Sequence, residues 1–193
     1  HWSHVGWAYK TAEGPWRVVH KLNECGTDQS LITRQGLGEF FLDDLWRYEA
    51  AWVAPSPELQ GALWPLLQDN RRAGTLHQRR YSMVSYAWGT RYQQSNQWAI
   101  ETLALAAEPH ALRREQAQAW LRLKDYRPTT LRIGALTRLG GRMTAGNVAF
   151  DDHPNAQRFA DRIETVTADS VLDWLQRLSA GGAAPRVALL AGS

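Results

Sequence analysis

The stretch HVGWAYKTAEGPWRVVHKL, residues 4–22, decides the fold prediction. Residues 4–9 alternate large apolar side chains with small or polar ones, which is typical of a strand with one buried face. Residues 16–22 are rich in β-branched and aromatic side chains, and the Gly-Pro pair before them favours a tight connection. The stretch therefore predicts an antiparallel hairpin, and register permitting, His4 and His20 share one face of it within hydrogen-bonding reach.

The rest of the chain predicts an α+β arrangement, with a small antiparallel sheet packed against helices. Ser56-Pro57 predicts a helix start, because serine caps helices and proline favours the first helical position. We expect one domain over residues 1–178 and a flexible C-terminal tail over residues 179–193. Further helices are expected from Ser95 to Glu108, Gln116 to Leu123 and Asp169 onward, and strands over residues 48–53, 148–150 and 163–167.

Composition is that of an ordinary globular domain. The chain has 193 residues, of which 44% are hydrophobic, and no apolar run is long enough to span a membrane. Its net charge is +3, but the arginines occur as scattered pairs rather than as a basic stripe, which disfavours nucleic acid as a partner. No motif in the sequence indicates a cofactor.

Ser95 is the candidate nucleophile, at the predicted start of a helix. A helix N-terminus offers a positive dipole end and free backbone N–H groups, which suit a developing oxyanion. With His4 as general base and His20 orienting it, the three residues can form a catalytic triad. The alternative is purely structural, in which Ser95 is an N-cap and the histidines belong to the scaffold.

Residues close to Ser95 in sequence are candidates for contact with substrate. We predict Arg91, Tyr92 and Trp98 as substrate-binding residues, although Tyr92 could instead pack under the helix start and Trp98 could anchor the core. Glu101 lies six residues further along the helix, so we expect it to point away from Ser95 and to be exposed or ion-paired.

Two other groups of residues could carry chemistry. Cys25 is the single cysteine, so no intrachain disulfide can form, and its turn lacks the helix start that would activate a thiol. Residues 151–153, Asp-Asp-His, and the pair His1 and His4 lack a strong ligand spacing, and we expect no metal site.

The hairpin and the QSNQW segment, residues 94–98, resemble motifs of permuted papain-like proteins. In the lecithin retinol acyltransferase-like and NlpC/P60-type families, two strand histidines precede a helix that begins with the nucleophilic cysteine. The resemblance implies a circularly permuted NlpC/P60 papain-like fold and cleavage or transfer at an amide, ester or thioester. Serine stands here in the cysteine position, at Ser95.

The chain also resembles, over residues 1 to about 177, a proteobacterial family of exported proteins of unknown function, number 2145 in its series. The segments that carry this resemblance are LNECGT, FFLDD, YSMV, TRYQQSNQW and FDDHP. The resemblance and the first residue, His1 in place of methionine, lead us to expect a removed signal peptide and a periplasmic or secreted location.

The serine leaves three explanations open: a natural serine hydrolase, a site that only binds, or an engineered replacement of cysteine. We favour a natural serine, because the SNQW segment also fits the family of unknown function. The expected activity is that of a hydrolase or acyltransferase acting on a peptide, cell-wall or lipid substrate. The alternative is a catalytically silent ligand-binding domain of the cell envelope.

Overall fold

The computed structural model describes residues 2–42, 49–144, 146–179 and 186–189, and within them it shows a mixed α+β fold. The strands form small antiparallel sheets, and helices pack against them. In chain order the elements are β1 Trp7–Lys10, β2 Trp16–Asn23, β3 Ser30–Gly36, α1 Leu37–Phe41, β4 Glu49–Trp52, α2 Pro57–Gln68, α3 Asn70–Ala73, α4 Ser95–Ala107, α5 Arg114–Leu123, β5 Thr129–Arg132, α6 Ala135–Thr144, α7 Asn155–Phe159, β6 Arg162–Thr165, α8 Ala168–Leu178 and β7 Arg186–Leu189.

The predicted hairpin is confirmed. Strands β1 and β2 pair antiparallel, with Trp7 opposite Val19. β1 starts at Trp7 rather than at His4, so His4 precedes the ladder. The sequence prediction missed β3, which pairs antiparallel with the other edge of β2 and places Thr33 opposite His20.

Helix α4 is the centre of the core. Every residue from Ser95 to Ala106 is buried, and the helix packs against β2, α2 and α5. Trp98 is fully buried, and its indole N–H donates to the Ala73 carbonyl oxygen at 3.2 Å. The predicted helix is therefore present, with neighbours on all sides.

Ser95 does not cap this helix, so the alternative in which it is a serine N-cap is wrong. The N-cap is Gln94, whose side-chain oxygen accepts from the Asn96 backbone N–H at 2.9 Å. Ser95 is the first helical residue, and its hydroxyl is directed to another element. At the second predicted start, Ser56 does cap α2, accepting from Leu59 N with Pro57 in the first turn.

One further prediction differs from the structure. Residues 148–150 form no strand; Ala149 instead exchanges hydrogen bonds with the Ser82 hydroxyl, which gives a single contact rather than a ladder. Strand β7 pairs antiparallel with β4, and residues 180–185 and 190–193 lie outside the described residues, so the predicted tail stays a prediction. No helix in the described part of the chain is long and apolar enough to cross a membrane.

A long segment, residues 74–94, leads into α4 without a helix or a strand of its own apart from one isolated bridge. Several of its carbonyl groups accept hydrogen bonds from side chains of α4 and α5. Arg114 donates to the carbonyl oxygens of Gly89 and Tyr92, both at 3.0 Å. Gln97 donates to that of Ala87 at 3.1 Å. Side-chain donors thus replace the ladder that a buried segment otherwise needs.

Glu101 holds this arrangement together. It is fully buried and ion-paired with Arg114 at 2.7 Å, so it is not a surface residue. Its carboxylate also accepts from Gln93 at 2.6 Å and Gln118 at 2.8 Å. Lys21 of β2 joins the network by donating to Gln93 at 2.8 Å. One buried carboxylate therefore connects β2, α4, α5 and the segment before α4.

Replacing Arg114 tests this network. We expect Arg114→Ala to lower the free energy of unfolding by about 3–5 kcal/mol, because Glu101 is left as an uncompensated buried charge. Arg127→Ala is the matched control, since its ion pair with Asp125 is exposed and contributes less than about 1 kcal/mol. Urea denaturation measures both changes, and equal small losses would contradict the assignment.

Candidate functional site

His4 and His20 are in direct contact. Nε2 of His4 lies 2.9 Å from Nδ1 of His20, and the two rings meet edge to face. Phe40 of α1 packs against both rings, with its centroid 5.0 Å from that of His20. The two rings therefore share one aromatic neighbour, Phe40, and His20 is fixed by its place in β2.

The hydrogen-bond chain continues beyond His20. Its Nε2 lies 2.6 Å from the side-chain oxygen of Gln35, on β3. The amide nitrogen of Gln35 donates to Glu39 of α1 at 3.3 Å. The Glu39 carboxylate can only accept, which orients the Gln35 amide with its oxygen toward His20.

This orientation assigns the protons on both rings. Gln35 offers His20 an acceptor, so Nε2 of His20 carries a proton. With both imidazoles neutral, Nδ1 of His20 then accepts, and Nε2 of His4 donates to it. Nδ1 of His4 is left with its lone pair, and it has no hydrogen-bond partner within the described ranges.

The surroundings keep His4 neutral. Burial, with a smaller contribution from the neighbouring His20, lowers the pKa of His4 from 6.5 to about 4. The protonated form is therefore disfavoured at neutral pH, and the free nitrogen is a weaker base than that of an ordinary imidazole. A neutral imidazole with one nitrogen held and the other open has the form that general bases take.

The start of α4 lies against the backbone next to these histidines. The Ser95 hydroxyl donates to the carbonyl oxygen of Lys21 at 2.7 Å, and Asn96 accepts from the Val5 backbone N–H at 2.9 Å. Lys21 follows His20, and Val5 follows His4. Two side chains of α4 thus bond backbone groups of the hairpin just beyond the β1–β2 ladder, which ends at Trp7.

The Ser95 hydroxyl is buried and engaged. Its single proton goes to the Lys21 carbonyl oxygen rather than to an imidazole. Tyr81 lies against it: burial raises the pKa of Tyr81, and hydrogen bonds with the Ser95 side chain and backbone act in the opposite direction. Ser95 is 5% exposed. Because its hydroxyl donates to the Lys21 carbonyl oxygen, this hydrogen bond must break before the hydroxyl can react.

Not all backbone N–H groups at the helix start are free to donate to a ligand. The Asn96 N–H donates to the Gln94 side chain, and Tyr81 lies close to Ser95. From the helix start alone we expect free donors here for an oxyanion. In the structure, the Gln94 side chain takes one of these positions.

The predicted substrate-binding residues have different positions. Arg91 is half exposed and pairs with Asp151 at 2.9 Å. Tyr92 is buried, and the guanidinium groups of Arg80 and Arg91 lie over its ring at 5.0 and 5.3 Å. Trp98 lies in the core. Of the three, only Arg91 presents a substantial exposed side chain.

The remaining candidates are placed elsewhere. Cys25 is exposed in the turn after β2. His153 contacts Asp152 at 3.0 Å and lies 3.2 Å from the Glu164 carbonyl oxygen, so this pair is engaged within the protein. No group of three or more potential metal ligands occurs among the described residues, and His1 lies outside them.

Sequence reasoning missed Gln35 and Tyr81. Gln35 could have been found by extending the sheet, because residues 30–36 allow a third strand with every second side chain on the His20 face. No local pattern indicates Tyr81. It reaches Ser95 only because the segment before α4 folds back against the start of the helix.

Comparison with known proteins identifies the family but no activity. No curated protein and no solved structure shows significant similarity to the chain. Residues 1–175 match the family described as an uncharacterized protein conserved in bacteria, DUF2145. Since the match covers most of the 193 residues, the chain belongs to the DUF2145 family of uncharacterized bacterial proteins.

Proposed function

We propose that this chain is a hydrolase or acyltransferase that acts on an amide or an ester, with Ser95 as nucleophile. The observation that carries the proposal is the ordered pair His4–His20, which leaves one imidazole nitrogen unprotonated and without a partner among the described residues. An imidazole with one nitrogen open, whose other nitrogen is bonded to a second oriented side chain, has the arrangement of a general base and its orienting partner.

In the proposed reaction, the Ser95 oxygen attacks the substrate carbonyl carbon while Nδ1 of His4 takes the hydroxyl proton. The resulting imidazolium is stabilised by the hydrogen bond from its Nε2 to His20, which Gln35 holds in place. Collapse of the tetrahedral intermediate breaks the bond to the leaving group, which receives the proton from His4. Water or another acceptor then takes the acyl group from Ser95 by the reverse sequence.

The nucleophile must first change its hydrogen bond. Leaving the Lys21 carbonyl oxygen costs about 1 kcal/mol, the value of one ordinary hydrogen bond. Catalytic contacts are often long or misaligned before substrate binds and tighten in the complex. We therefore place the reactive rotamer of Ser95 in the substrate complex.

The order of residues supports a permuted papain-like site. Two histidines on a hairpin precede a serine at a helix start, as the resemblance to NlpC/P60 and lecithin retinol acyltransferase-like proteins implies. The confirmed hairpin and the position of Ser95 as the first residue of α4 agree with this scheme. The specific fold and a peptide, cell-wall or lipid substrate remain part of the proposal.

The second candidate function is a catalytically silent ligand-binding domain. One observation favours it: the Ser95 proton is bonded to a backbone carbonyl, and the N–H groups around it are partly occupied. In that case the histidine pair orders the start of the chain without moving protons.

Ser95 variants separate the two functions. We expect a serine-directed phosphonate to modify the wild-type chain and not Ser95→Ala, which mass spectrometry detects. Ser95→Ala should lower stability by about 1–2 kcal/mol, because it leaves the buried Lys21 carbonyl unsatisfied. Ser95→Cys should react with acyl donors, since a thiolate can form beside histidine.

The matched control is Cys25→Ser, made alone and as the background for Ser95→Cys. Cys25 is exposed in the turn after β2 and belongs neither to the histidine pair nor to the start of α4, so its replacement should leave activity unchanged. If the wild-type chain stays unmodified and Ser95→Cys is inert in that background, the catalytic function is wrong and the ligand-binding function remains.

The pH dependence of kcat/KM tests the base. His4 must be neutral to accept a proton, so activity is present above its pKa and falls as the pH drops through about 4. An ordinary histidine would lose activity near pH 6.5. An acid limb at the ordinary value with an activated ester would contradict His4 as the base.

We also propose that the protein acts in the periplasm or outside the cell, on the family resemblance. Fractionation of cells expressing the full-length gene product should place it with periplasmic or secreted markers. A product that remains with cytoplasmic markers would contradict this location.

A further inference from the structure

Two arginines face each other across the β5–β6 ladder. Arg132 is the register partner of Arg162, and both side chains are exposed. Like charges directly opposite each other on antiparallel strands destabilise a sheet. Among the described residues neither arginine forms an ion pair, and with Glu164 as its one carboxylate the ladder keeps a net positive charge.

Exposed apolar side chains lie a few residues from these arginines along the chain. Helix α6 begins three residues after Arg132, and α7 ends three residues before Arg162. On these helices Leu136 is 87%, Leu139 58% and Phe159 74% exposed. Large apolar side chains are rarely left so open in a group unless the surface meets a partner.

The two helices meet at one groove. Leu139 of α6 and Arg158 of α7 line the same groove, together with Phe150. The Arg158 guanidinium lies over the Phe159 ring at 5.3 Å. Arg138 of α6 forms an ion pair with Asp161 at 2.7 Å, which connects α6 to the turn after α7.

We propose that this surface binds the face of an anionic lipid bilayer. The lipid-binding surface consists of three arginines and three apolar side chains: Arg132, Arg158, Arg162, Leu136, Leu139 and Phe159. In this arrangement the apolar side chains enter the boundary between headgroups and acyl chains, and the arginines meet lipid phosphates. Phosphate also neutralises the opposed pair Arg132 and Arg162.

The chemistry of the surface favours lipid over other anions. Single-stranded nucleic acid is held by aromatic platforms on which bases stack, and here two of the three exposed apolar side chains are leucines. An acidic peptide would satisfy the arginines but leave the projecting leucines in water. A bilayer interface takes both kinds of side chain at once.

The inference does not depend on the proposed hydrolase, because no residue of the lipid-binding surface belongs to the histidine pair or to the start of α4. Vesicle binding and acylation can therefore fail or succeed separately. Ser95→Ala should bind vesicles as the wild-type chain does.

Co-sedimentation of the full chain with vesicles tests the inference. Vesicles of phosphatidylcholine mixed with phosphatidylglycerol should carry the protein down, and pure phosphatidylcholine vesicles should not. Added salt should weaken binding, because the arginine contribution is screened. Leu136→Ser combined with Leu139→Ser should abolish sedimentation without lowering the melting temperature.

Charge variants provide a second readout. Arg162→Gln should weaken binding to anionic vesicles by about fivefold, the value expected for one basic residue near a charged membrane. The same change should raise the melting temperature slightly, because it removes the opposed charge at Arg132. A merely structural arginine would lower the melting temperature instead.

The control is Leu112→Ser combined with Leu123→Ser, which removes two exposed leucines from α5 and the turn before it. This variant should sediment as the wild-type chain does. Absence of binding to phosphatidylglycerol vesicles, equal loss in the control, or binding to an RNA oligonucleotide that the Leu136 and Leu139 changes abolish would each overturn the inference.

Discussion

The buried ion pair between Glu101 and Arg114 is the interaction on which the rest of the structure depends. It lies beneath the segment that leads into α4 and supplies the donors that the backbone of this segment lacks. Through Gln93 it also reaches Lys21, whose own carbonyl oxygen accepts from Ser95. The position of the candidate nucleophile is thus determined by a charge pair that lies outside the candidate site.

The network also changes the pKa of Lys21. Burial and the nearby Arg114 lower the pKa of Lys21 from 10.5 to about 6, and Glu101 acts in the opposite direction. The unfolded chain binds this proton below pH 10.5, whereas the folded chain takes it up only near pH 6. Lys21 therefore makes the fold more stable as the pH rises between those values. It serves as a hydrogen-bond donor that carries little charge at neutral pH.

Local sequence patterns predicted the elements that depend on interactions between residues close in sequence. Alternation predicted the hairpin, and Ser56-Pro57 predicted the start of α2. The helix starts at Ser95 as predicted, but its N-cap is Gln94, which no local pattern indicates, because glutamine rarely caps helices and the bond from Ser95 to Lys21 spans 74 residues of sequence. Glu101 was expected to be exposed or ion-paired; no periodicity shows that three side chains, from α5 and from the segment before α4, bond its carboxylate.

The candidate site was predictable only in outline. The two histidines and the helix start follow from their own segments, whereas Gln35, which assigns the ring protons, lies on a strand that the prediction missed. The central claim is that His4 is a neutral base with a free Nδ1. Nitrogen-15 NMR of the labelled imidazoles at neutral pH measures this directly. The account predicts an Nε2–H tautomer for His4 and protonation only near pH 4. A proton on Nδ1, or titration near 6.5, would contradict it.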